Sequence, residues 1–318
     1  MARVDLVSIA ETWAGIVDDA AIFPPGNVPL EPAVTEHLAR SGVWYAVLVG
    51  PFVVNDVRLP DLLEVIADLD EPEEEGVSVE VTAPLRTSVV VSGGAGAIRP
   101  AATWATRSGQ LELAALETML RDPGDLATTA RRVAAAVEEC RNEGVLAEDA
   151  PVYVELPHEA AGLAGWMAAA DIVAEEGFRL KFRTGGAEAE MFPEPHALAS
   201  WISAALDREV PFKCTAGLHE AVRHEDPESG FTHHGFLNVL LATRASLDGD
   251  GVPEVAELLD TRDGGALAAR ARELGDALPR TRRWFTGFGS CSVLEPLEAL
   301  VDLGFVDVPH DADEASRP

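Results

Sequence analysis

Two short stretches with the same pattern decide the predicted fold: RLKFRTGG at 179–186 and PFKCTAG at 211–217. In each stretch apolar residues alternate with polar ones, and a glycine-containing turn follows. Successive side chains of a β-strand point to opposite faces, so Lys181 and Lys213 each lie opposite their apolar neighbours. The pattern predicts two strands that turn polar residues to one side and apolar residues toward covering helices.

The strand–turn unit recurs along the chain, separated by alanine-rich segments such as 126–141, whose apolar residues follow helical spacing. The predicted strands cover 15–22, 44–49, 87–91, 111–115, 152–155, 179–183, 211–215 and 284–286. Regular alternation of strand and helix is typical of a parallel sheet. Eight such units predict an α/β fold of the (β/α)8 TIM-barrel type, with an open doubly wound sheet as the alternative.

Two segments depart from the repeat. An extra strand-like stretch lies at 77–81, before the third unit. The connection 217–283 is far longer than the ~2–6 residues of a usual βα loop, so we expect extra helices at 235–247, 252–259 and 264–278. Loops that follow barrel strands form the active site, so this enlarged seventh connection is expected to shape the pocket. We predict one barrel domain over 1–308 and a polar tail over 309–318.

Composition excludes several classes of protein. The 24 basic and 54 acidic side chains give a net charge of −30, which repels a phosphate backbone and argues against nucleic-acid partners. No membrane-length apolar run or secretory leader is recognised. The three cysteines, Cys140, Cys214 and Cys291, form neither a disulfide framework nor a thiolate metal motif. We expect a cytoplasmic enzyme-sized protein, with the acidic run 70–75 as a solvated loop.

Lysine is nearly absent, since Lys181 and Lys213 are the only lysines among the 24 basic residues. They fall at equivalent heights on strands predicted to be neighbours, about 4.8 Å apart. Like charge and partial burial are expected to lower their pKa from about 10.4, which favours the neutral amine that imine formation needs. The structural alternative is that a lumen lysine balances the charge of Glu155. We take Lys181, Lys213 and Glu155 as candidate catalytic residues.

A glycine-rich segment, FTGFGSCS at 285–292, follows the last predicted strand and leads into a helix. Ser292 and Glu295 have capping-box spacing, and free amides at a helix start attract anions. Together with the turns after strands six and seven, this segment predicts a phosphate or carboxylate site. The candidate substrate-binding residues of these strands and turns are Arg183, Thr184, Gly185, Gly186, Thr215, Gly287, Gly289 and Ser290.

Lysines on two successive strands, the turns after them and the terminal glycine-rich segment resemble the class I aldolase barrels, deoxyribose-phosphate aldolase most of all. The segments 17–20 and 23–25, 47–51, and the fifth unit at 152–155 and 167–177 are also similar to that family. The resemblance implies that Lys181 forms a Schiff base, that Lys213 lowers its pKa, and that 287–290 holds an anionic group.

One position departs from the family pattern. The family carries an acidic proton shuttle on its fourth strand, where this chain reads QLELAAL at 110–116. Glu112 lies near the start of the predicted strand and is a poor substitute. Glu155 is therefore the first candidate for the acid or base, followed by Asp18 or Asp19, of which only one can face the lumen.

Histidines of the long connection supply a competing interpretation. His219 and His234 are predicted to face the pocket, with Asn238 one turn beyond, although helix capping would also explain them. Together with Glu155 they could hold a divalent metal in a hydrolase or isomerase, but their spacing matches no compact ligand motif, so no cofactor is predicted.

The leading prediction is a Schiff-base lyase acting on a small, phosphorylated or carboxylated carbonyl compound, with a homo-oligomer possible by analogy. Besides the metal-dependent enzyme, the remaining alternative is a non-catalytic barrel that binds an anionic metabolite.

Overall fold

The structure, a computed structural model, describes residues 9–70, 83–122, 124–158 and 164–309. Its strands are β1 (Val17–Asp19), β2 (Val49–Asn55), β3 (Leu85–Val91), β4 (Leu111–Met119), β5 (Val152–Glu155), β6 (Arg179–Arg183), β7 (Phe212–Thr215), β8 (His224–Glu225), β9 (Thr232–His233) and β10 (Phe285–Ser290). Its α-helices are α1 (Leu30–Ala39), α2 (Leu59–Asp70), α3 (Ala95–Thr106), α4 (Leu126–Asn142), α5 (Ala164–Glu175), α6 (Pro195–Leu206), α7 (Phe236–Asp248), α8 (Val252–Asp260), α9 (Gly264–Glu273), α10 (Ala277–Thr281) and α11 (Leu294–Asp302).

Eight of the strands form a closed parallel barrel in the order β1, β10, β7, β6, β5, β4, β3, β2, with β2 pairing back to β1. This confirms the predicted (β/α)8 TIM barrel and rules out the open doubly wound sheet. Closure leaves no unpaired strand edge in the barrel.

The apolar residues of the two deciding strands face outward, as their alternation predicts. Phe182 and Phe212 are almost completely buried, and their ring centroids lie 5.0 Å apart. Phe182 also packs against Trp201 of α6, at 5.8 Å between centroids. This packing between barrel and helices forces the intervening Lys181 and Lys213 into the lumen.

The helix predicted at 126–141 is α4. Asp125 caps it by accepting a hydrogen bond from the Thr128 amide at 3.0 Å. Its buried stripe includes Val133, Val137 and Cys140, which recur at the spacing of one helix face.

The second predicted strand, 44–49, is misplaced. Residues Ala46–Leu48 form a 3₁₀ turn, and β2 begins at Val49. Pro51 falls where the register between β1 and β2 shifts, a position at which a strand tolerates a residue without a backbone N–H. Proline usually interrupts a strand inside a sheet because it cannot donate a backbone hydrogen bond, but β2 continues through Pro51.

Two other predicted strands are too short. Strand β4 extends four residues beyond the predicted 111–115, and β10 extends to Ser290 rather than ending at Thr286. Both extensions run toward the carboxyl-terminal end of the barrel and carry residues of the site described below.

Between β7 and β10 lie the two-stranded β8–β9 sheet and helices α7 to α10. Helix α7 packs on the barrel, where the ring of Phe236 stacks on Phe288 of β10 with centroids 5.1 Å apart. The single helix predicted at 264–278 is two helices, α9 and α10. Gly275 lies between them in the left-handed region, with φ +47°, where an α-helix cannot continue.

Some sequence predictions concern residues outside the described ranges: the strand-like stretch 77–81, the loop interpretation of 71–75, and the polar tail beyond 309. Across the described ranges, none of the helices combines the length and apolar character that spanning a bilayer requires.

Candidate active site

The barrel register pairs the two lysines. Lys181 of β6 lies directly beside Lys213 of β7, and Glu155 of β5 lies beside Lys181 on its other side. The prediction that both lysines occupy equivalent heights on neighbouring strands is confirmed. Both side chains are only 3% exposed.

Glu117 joins the two lysines, and sequence reasoning missed it. Lys213 Nζ donates to Glu117 Oε1 at 2.6 Å, and Lys181 Nζ lies 2.9 Å from Glu117 Oε2. The Ser88 hydroxyl donates to the first of these oxygens at 2.6 Å. Glu117 is completely buried, so its carboxylate serves the two ammonium groups and the hydroxyl rather than solvent.

Further ion pairs surround this bridge. Glu155 Oε2 lies 3.0 Å from Lys181 Nζ, while its Oε1 accepts from Arg183 Nε at 2.7 Å. Lys213 also forms a very short ion pair with Asp18. We call this set the lysine–carboxylate cluster; it comprises Asp18, Glu117, Glu155, Lys181, Arg183 and Lys213. Three cations face three anions, so the buried charges balance.

The pKa of each lysine departs from its ordinary value in the direction opposite to the one expected. Burial by itself would lower the pKa of Lys181, but Glu155 and Glu117 outweigh it and raise the pKa. Burial would also lower the pKa of Lys213, but the charges of Asp18 and Glu117 outweigh it. The pKa of Lys213 is therefore raised strongly. The expectation rested on repulsion between the ammonium groups, whereas each ammonium has carboxylates closer at hand. Both lysines are therefore charged in the structure.

The carboxyl groups divide into two kinds. At Glu117 burial favours the neutral acid, but Lys213 and Lys181 prevail and lower the pKa. At Glu155 the positive charges of Lys181 and Arg183 likewise outweigh burial, so its pKa is lowered. Burial dominates at Asp18 and raises its pKa despite the contact with Lys213. Asp18 is therefore the carboxyl of the cluster that takes up a proton most readily.

The two adjacent aspartates of β1 point in different directions, as the alternation of a strand requires. Asp18 faces the lumen and contacts Lys213. Asp19 turns toward α1, where it accepts from Arg40 at 2.5 Å and lies 2.9 Å from His37 Nδ1. Asp19 therefore ties a helix to the barrel and has no part in the cluster.

A cavity of about 200 Å³ reaches the cluster from the amino-terminal end of the barrel. Its lining includes Lys213 and Asp18 at the inner end, with Tyr153, Arg86 and Arg179 nearer the strand starts. The Tyr153 hydroxyl accepts from Arg179 at 2.9 Å, and the Lys213 ammonium lies 5.3 Å from the centre of the Tyr153 ring. Lys213 therefore has open space beside it on the side opposite to the usual active-site face of such barrels.

The predicted substrate-binding turns after β6 and β7 pack against each other. The Thr184 hydroxyl donates to the carbonyl of Ala216 at 2.6 Å. A Cβ on Gly185 would lie 2.7 Å from Gly217 Cα, and one on Gly186 would meet the Met191 side chain. Close packing thus explains why glycines stand at these positions, and the assignment of Thr184, Gly185 and Gly186 to a ligand stays a prediction.

Thr215, Gly287, Gly289 and Ser290 lie on the paired strands β7 and β10. Thr215 is the register partner of Gly289. A Cβ placed on Gly289 would contact only the Thr215 hydroxyl, at 3.5 Å. Ser290 is buried, and its hydroxyl accepts from the Ser292 amide at 3.2 Å. Gly287 lies nearer the strand start, where it lines the amino-terminal cavity. The glycine-rich segment therefore spans both ends of the barrel.

His219 lies just beyond β7 and contacts the start of α11. Its Nδ1 is 2.5 Å from Glu295 Oε2, and its Nε2 is 3.7 Å from Cys291 Sγ. Burial alone would lower the pKa of His219, but hydrogen bonds with Cys291 and Glu295 raise it to about 10. The Ser292 hydroxyl accepts from the Glu295 amide, as the capping spacing predicts, but the Glu295 carboxylate turns to His219.

His234 and Asn238 are completely buried and bonded to the protein backbone, so their assignment to the substrate stays a prediction. His234 Nε2 donates to the carbonyl of Pro193 at 2.7 Å, and burial lowers the pKa of this histidine to about 4. Asn238 accepts from the Arg223 amide and donates to the carbonyls of Leu258 and Thr261. Both side chains are fully buried, with their polar atoms bound to neighbouring loop residues.

The metal-site alternative gains no support from the geometry. His219 is held by Glu295 and Cys291, and His234 by the protein backbone, while Glu155 binds Lys181. His224 and His233 face each other across β8 and β9. Within the described ranges, no three His, Cys, Asp or Glu side chains are grouped in a way that could hold a metal ion.

Sequence alternation could have identified Glu117. Beyond the register shift between β3 and β4, Ala115 and Glu117 share the lumen side of β4, and Ala115 and Ser88 are register partners there. The predicted strand ends at 115, two residues short of Glu117, and therefore does not include this residue.

Comparison with known proteins supports the fold and leaves the chemistry open. No family model matches the chain, and no curated protein matches it. Among solved structures, the chain is similar to one described as the unique tetrameric structure of deoxyribose phosphate aldolase from Aeropyrum pernix. The TM-score is 0.52 and the identity 12%, over 95% of this chain and 100% of the other. The similarity shows that the chain shares the TIM-barrel fold of that structure.

Proposed function

We propose that this protein is a lyase that forms an imine between a barrel lysine and a small carbonyl compound. The observation that carries the proposal is the pairing of Lys181 and Lys213 at one height, with the Glu117 carboxylate bound to both. An aldolase-like barrel supports it, and so does the confinement of the chain's only lysines to these two positions.

Lys181 is the proposed nucleophile. Its ammonium group must lose a proton before attack, and two acceptors are in contact, Glu117 at 2.9 Å and Glu155 at 3.0 Å. The neutral Nζ then forms a bond to the carbonyl carbon. The carbonyl oxygen takes up two protons and leaves as water, so an iminium ion remains.

Carbon–carbon cleavage follows from the positive charge of that iminium. A carboxylate of the cluster removes the proton of the substrate's β-hydroxyl group, the carbon–carbon bond breaks, and its electron pair neutralises the iminium nitrogen. The raised pKa of Asp18 suits this carboxyl to hold a proton while Lys213 stays charged beside it. In this scheme Lys213 neutralises the negative charge of Asp18 and Glu117 and does not lower the pKa of Lys181.

We further propose that the substrate carries a phosphate or carboxylate group. Arg183 is about one-third exposed at the carboxyl-terminal end of β6. His219, whose pKa is raised to about 10, is a cation at neutral pH near the end of β10. Two cations near one mouth of the barrel favour an anionic substrate over a neutral one.

Assembly and location are further parts of the proposal. The similar aldolase structure is described as tetrameric, and we propose a homo-oligomer for this chain, to be measured by light scattering. The three cysteines are free, which fits a reducing compartment such as the cytoplasm.

Borohydride trapping tests the proposed chemistry. The protein is incubated with a panel of small aldehydes and ketones, with and without phosphate or carboxylate groups, then reduced and mapped by mass spectrometry. We expect a reduced adduct on Lys181, strongest with an anionic compound. Mapping in the unaltered protein avoids dependence on variants that disturb the buried cluster.

Variants assign the adduct. Lys181→Met should abolish trapping at Lys181, whereas Lys213→Met leaves the nucleophile in place. An adduct confined to Lys213 would transfer the nucleophilic role to the residue beside the amino-terminal cavity. If no compound of the panel modifies either lysine while several bind without reaction, the non-catalytic binding barrel is the correct interpretation.

A further inference from the structure

A second group of reactive side chains lies apart from the lysine–carboxylate cluster. Cys291 follows directly after β10, its Sγ lies 3.7 Å from His219 Nε2, and His219 Nδ1 lies 2.5 Å from Glu295 Oε2. A thiol, an imidazole and a carboxylate therefore stand in sequence, with both ring nitrogens engaged. This is the arrangement of a nucleophile, its base and the group that orients the base.

We propose that His219 activates the Cys291 thiol as a nucleophile and that Cys291 is a site of modification by small electrophiles, with hydrogen peroxide as the oxidant. The sulfur contacts a ring whose opposite nitrogen is bound to a carboxylate, and that carboxylate favours the protonated ring beside the sulfur. Once protonated, His219 donates from both nitrogens, and its Nε2–H stabilises the negative sulfur.

The charge on His219 supports this assignment. Its pKa is raised to about 10, against the effect of burial, by its contacts with Cys291 and Glu295. The pKa of Glu295 is lowered by the hydrogen bond from His219. At neutral pH the pair is therefore an imidazolium and a carboxylate, and the cationic ring lies against the sulfur.

Other ionisable groups act on this pair from neighbouring segments. The hydrogen bond from His219 lowers the pKa of Glu295, and the negative charge of Asp226 acts in the opposite direction. Burial raises the pKa of Glu220, and the nearby charge of Glu295 adds to this effect. Burial lowers the pKa of His233, and the charges of His224 and His219 add to this effect. Burial is thus the largest effect at Glu220 and at His233, whereas Cys291 and Glu295 are the groups that raise the pKa of His219.

Access and local packing distinguish Cys291 from the other two cysteines. Cys291 is partly exposed, whereas Cys140 and Cys214 are fully buried. Burial raises the pKa of both buried thiols, which keeps them protonated and unreactive. Neither offers a partner for a disulfide without local unfolding, so the oxidised form of Cys291 should persist as a sulfenic acid.

The oxidation step balances as follows. The Cys291 thiolate attacks one oxygen of hydrogen peroxide, and the S–O bond forms as the O–O bond breaks. The departing hydroxide takes the proton of the His219 imidazolium and leaves as water. Sulfur loses two electrons to the peroxide, and the products are a sulfenic acid and a neutral imidazole.

Alkylation rates test the activation. The full-length protein is treated with iodoacetamide, an uncharged reagent, at pH 6.0 and at pH 9.5, and each cysteine is quantified by mass spectrometry. At pH 6.0 we expect Cys291 to react at least about tenfold faster than in a His219→Gln variant, since an unassisted thiol is almost wholly protonated there. At pH 9.5 the two rates should converge, because the thiol then ionises without help.

Matched controls separate activation from exposure. Glu295→Gln should slow the reaction at pH 6.0, whereas Glu298→Gln, an exposed change one turn along the same helix, should not. Cys140 and Cys214 should remain unlabelled in the folded protein. Dimedone added after peroxide should mark Cys291 in the unaltered protein and much less in His219→Gln.

Several results would overturn the proposal. Equal rates at pH 6.0 in the unaltered protein and in both His219→Gln and Glu295→Gln would show that the histidine does not activate the thiol. Labelling of Cys291 that appears only above pH 8.5 in every protein would show an ordinary exposed cysteine. The readout needs no carbonyl substrate, so it is independent of the lyase activity.

Discussion

Glu117 accepts hydrogen bonds from both lysines of the chain, from Lys213 on one carboxylate oxygen and from Lys181 on the other. One fully buried carboxylate therefore fixes two ammonium groups that adjacent strands bring side by side. Without it, two buried cations would lie side by side with only Glu155 and Asp18 to balance the charges of the cluster, at high electrostatic cost.

Replacing Glu117 by glutamine should destabilise the fold by about 3–5 kcal/mol, because the neutral amide leaves buried positive charge uncompensated. The free energy of unfolding measured in urea checks this. Glu112→Gln on the same strand is the control, since that glutamate is exposed and pairs only with exposed Arg86; its cost should stay below about 1 kcal/mol. Equal stability of the two variants would mean that the cluster tolerates an unpaired charge.

The turns after β6 and β7 give a prediction about packing. Gly185→Ala places a Cβ 2.7 Å from Gly217 Cα, so backbone must shift, at a cost of about 1–3 kcal/mol. Gly96→Ala in α3 meets nothing within 4 Å and should stabilise the protein by about 0.5–1 kcal/mol. Thermal unfolding of both variants provides the measurement. A neutral effect at Gly185 would restore the interpretation that this glycine makes room for a ligand.

Asn238 should prove to be a structural residue. Asn238→Ala removes the acceptor of the Arg223 amide and the donor to two buried carbonyls, which should cost about 2–4 kcal/mol. Asn142→Ala, an exposed change at the end of α4, should have little effect. Stability retained in Asn238→Ala, with loss of ligand binding, would support the original assignment of Asn238 to the substrate.

Two histidines should give stability a maximum near pH 6.5. The pKa of His219 is raised to about 10, so its contribution is complete below its unfolded value near 6.5 and fades as the pH rises toward 10. The pKa of His234 is lowered to about 4 by burial, so its contribution is complete above 6.5 and fades as the pH falls toward 4. Each limb should amount to about 1–3 kcal/mol.

Urea unfolding at pH 4.5, 6.5 and 9 measures both limbs. The difference between the unaltered protein and His219→Gln should shrink from pH 6.5 to pH 9, and the difference for His234→Gln should shrink from pH 6.5 to pH 4.5. His196→Gln, at an exposed position, should change neither limb. Differences that stay constant with pH would show that neither histidine titrates abnormally.

Much of the barrel could be predicted because its evidence is local. Alternation in 179–183 and 211–215 fixed which side chains face inward, and the register of β6 and β7 confirms the pairing of their lysines. Strand ends were less predictable, as β2 and β4 show, because pairing partners and a register shift decide where a strand stops. Because the predicted β4 stops at 115, Glu117 falls outside it, and the sequence points to Glu155 and Asp18 for the missing acid.

The sequence by itself determined the alternation of strands and helices, the inward direction of Lys181 and Lys213, and their equal height, since all three follow from the spacing of neighbouring residues. Only the tertiary structure decided the charge state of those lysines, because it depends on Asp18, Glu117 and Glu155, which three other strands bring together. It likewise placed His219 against Cys291 and Glu295, 72 and 76 residues away. Electrostatic energies fall with distance in space, and only closure of the barrel sets that distance.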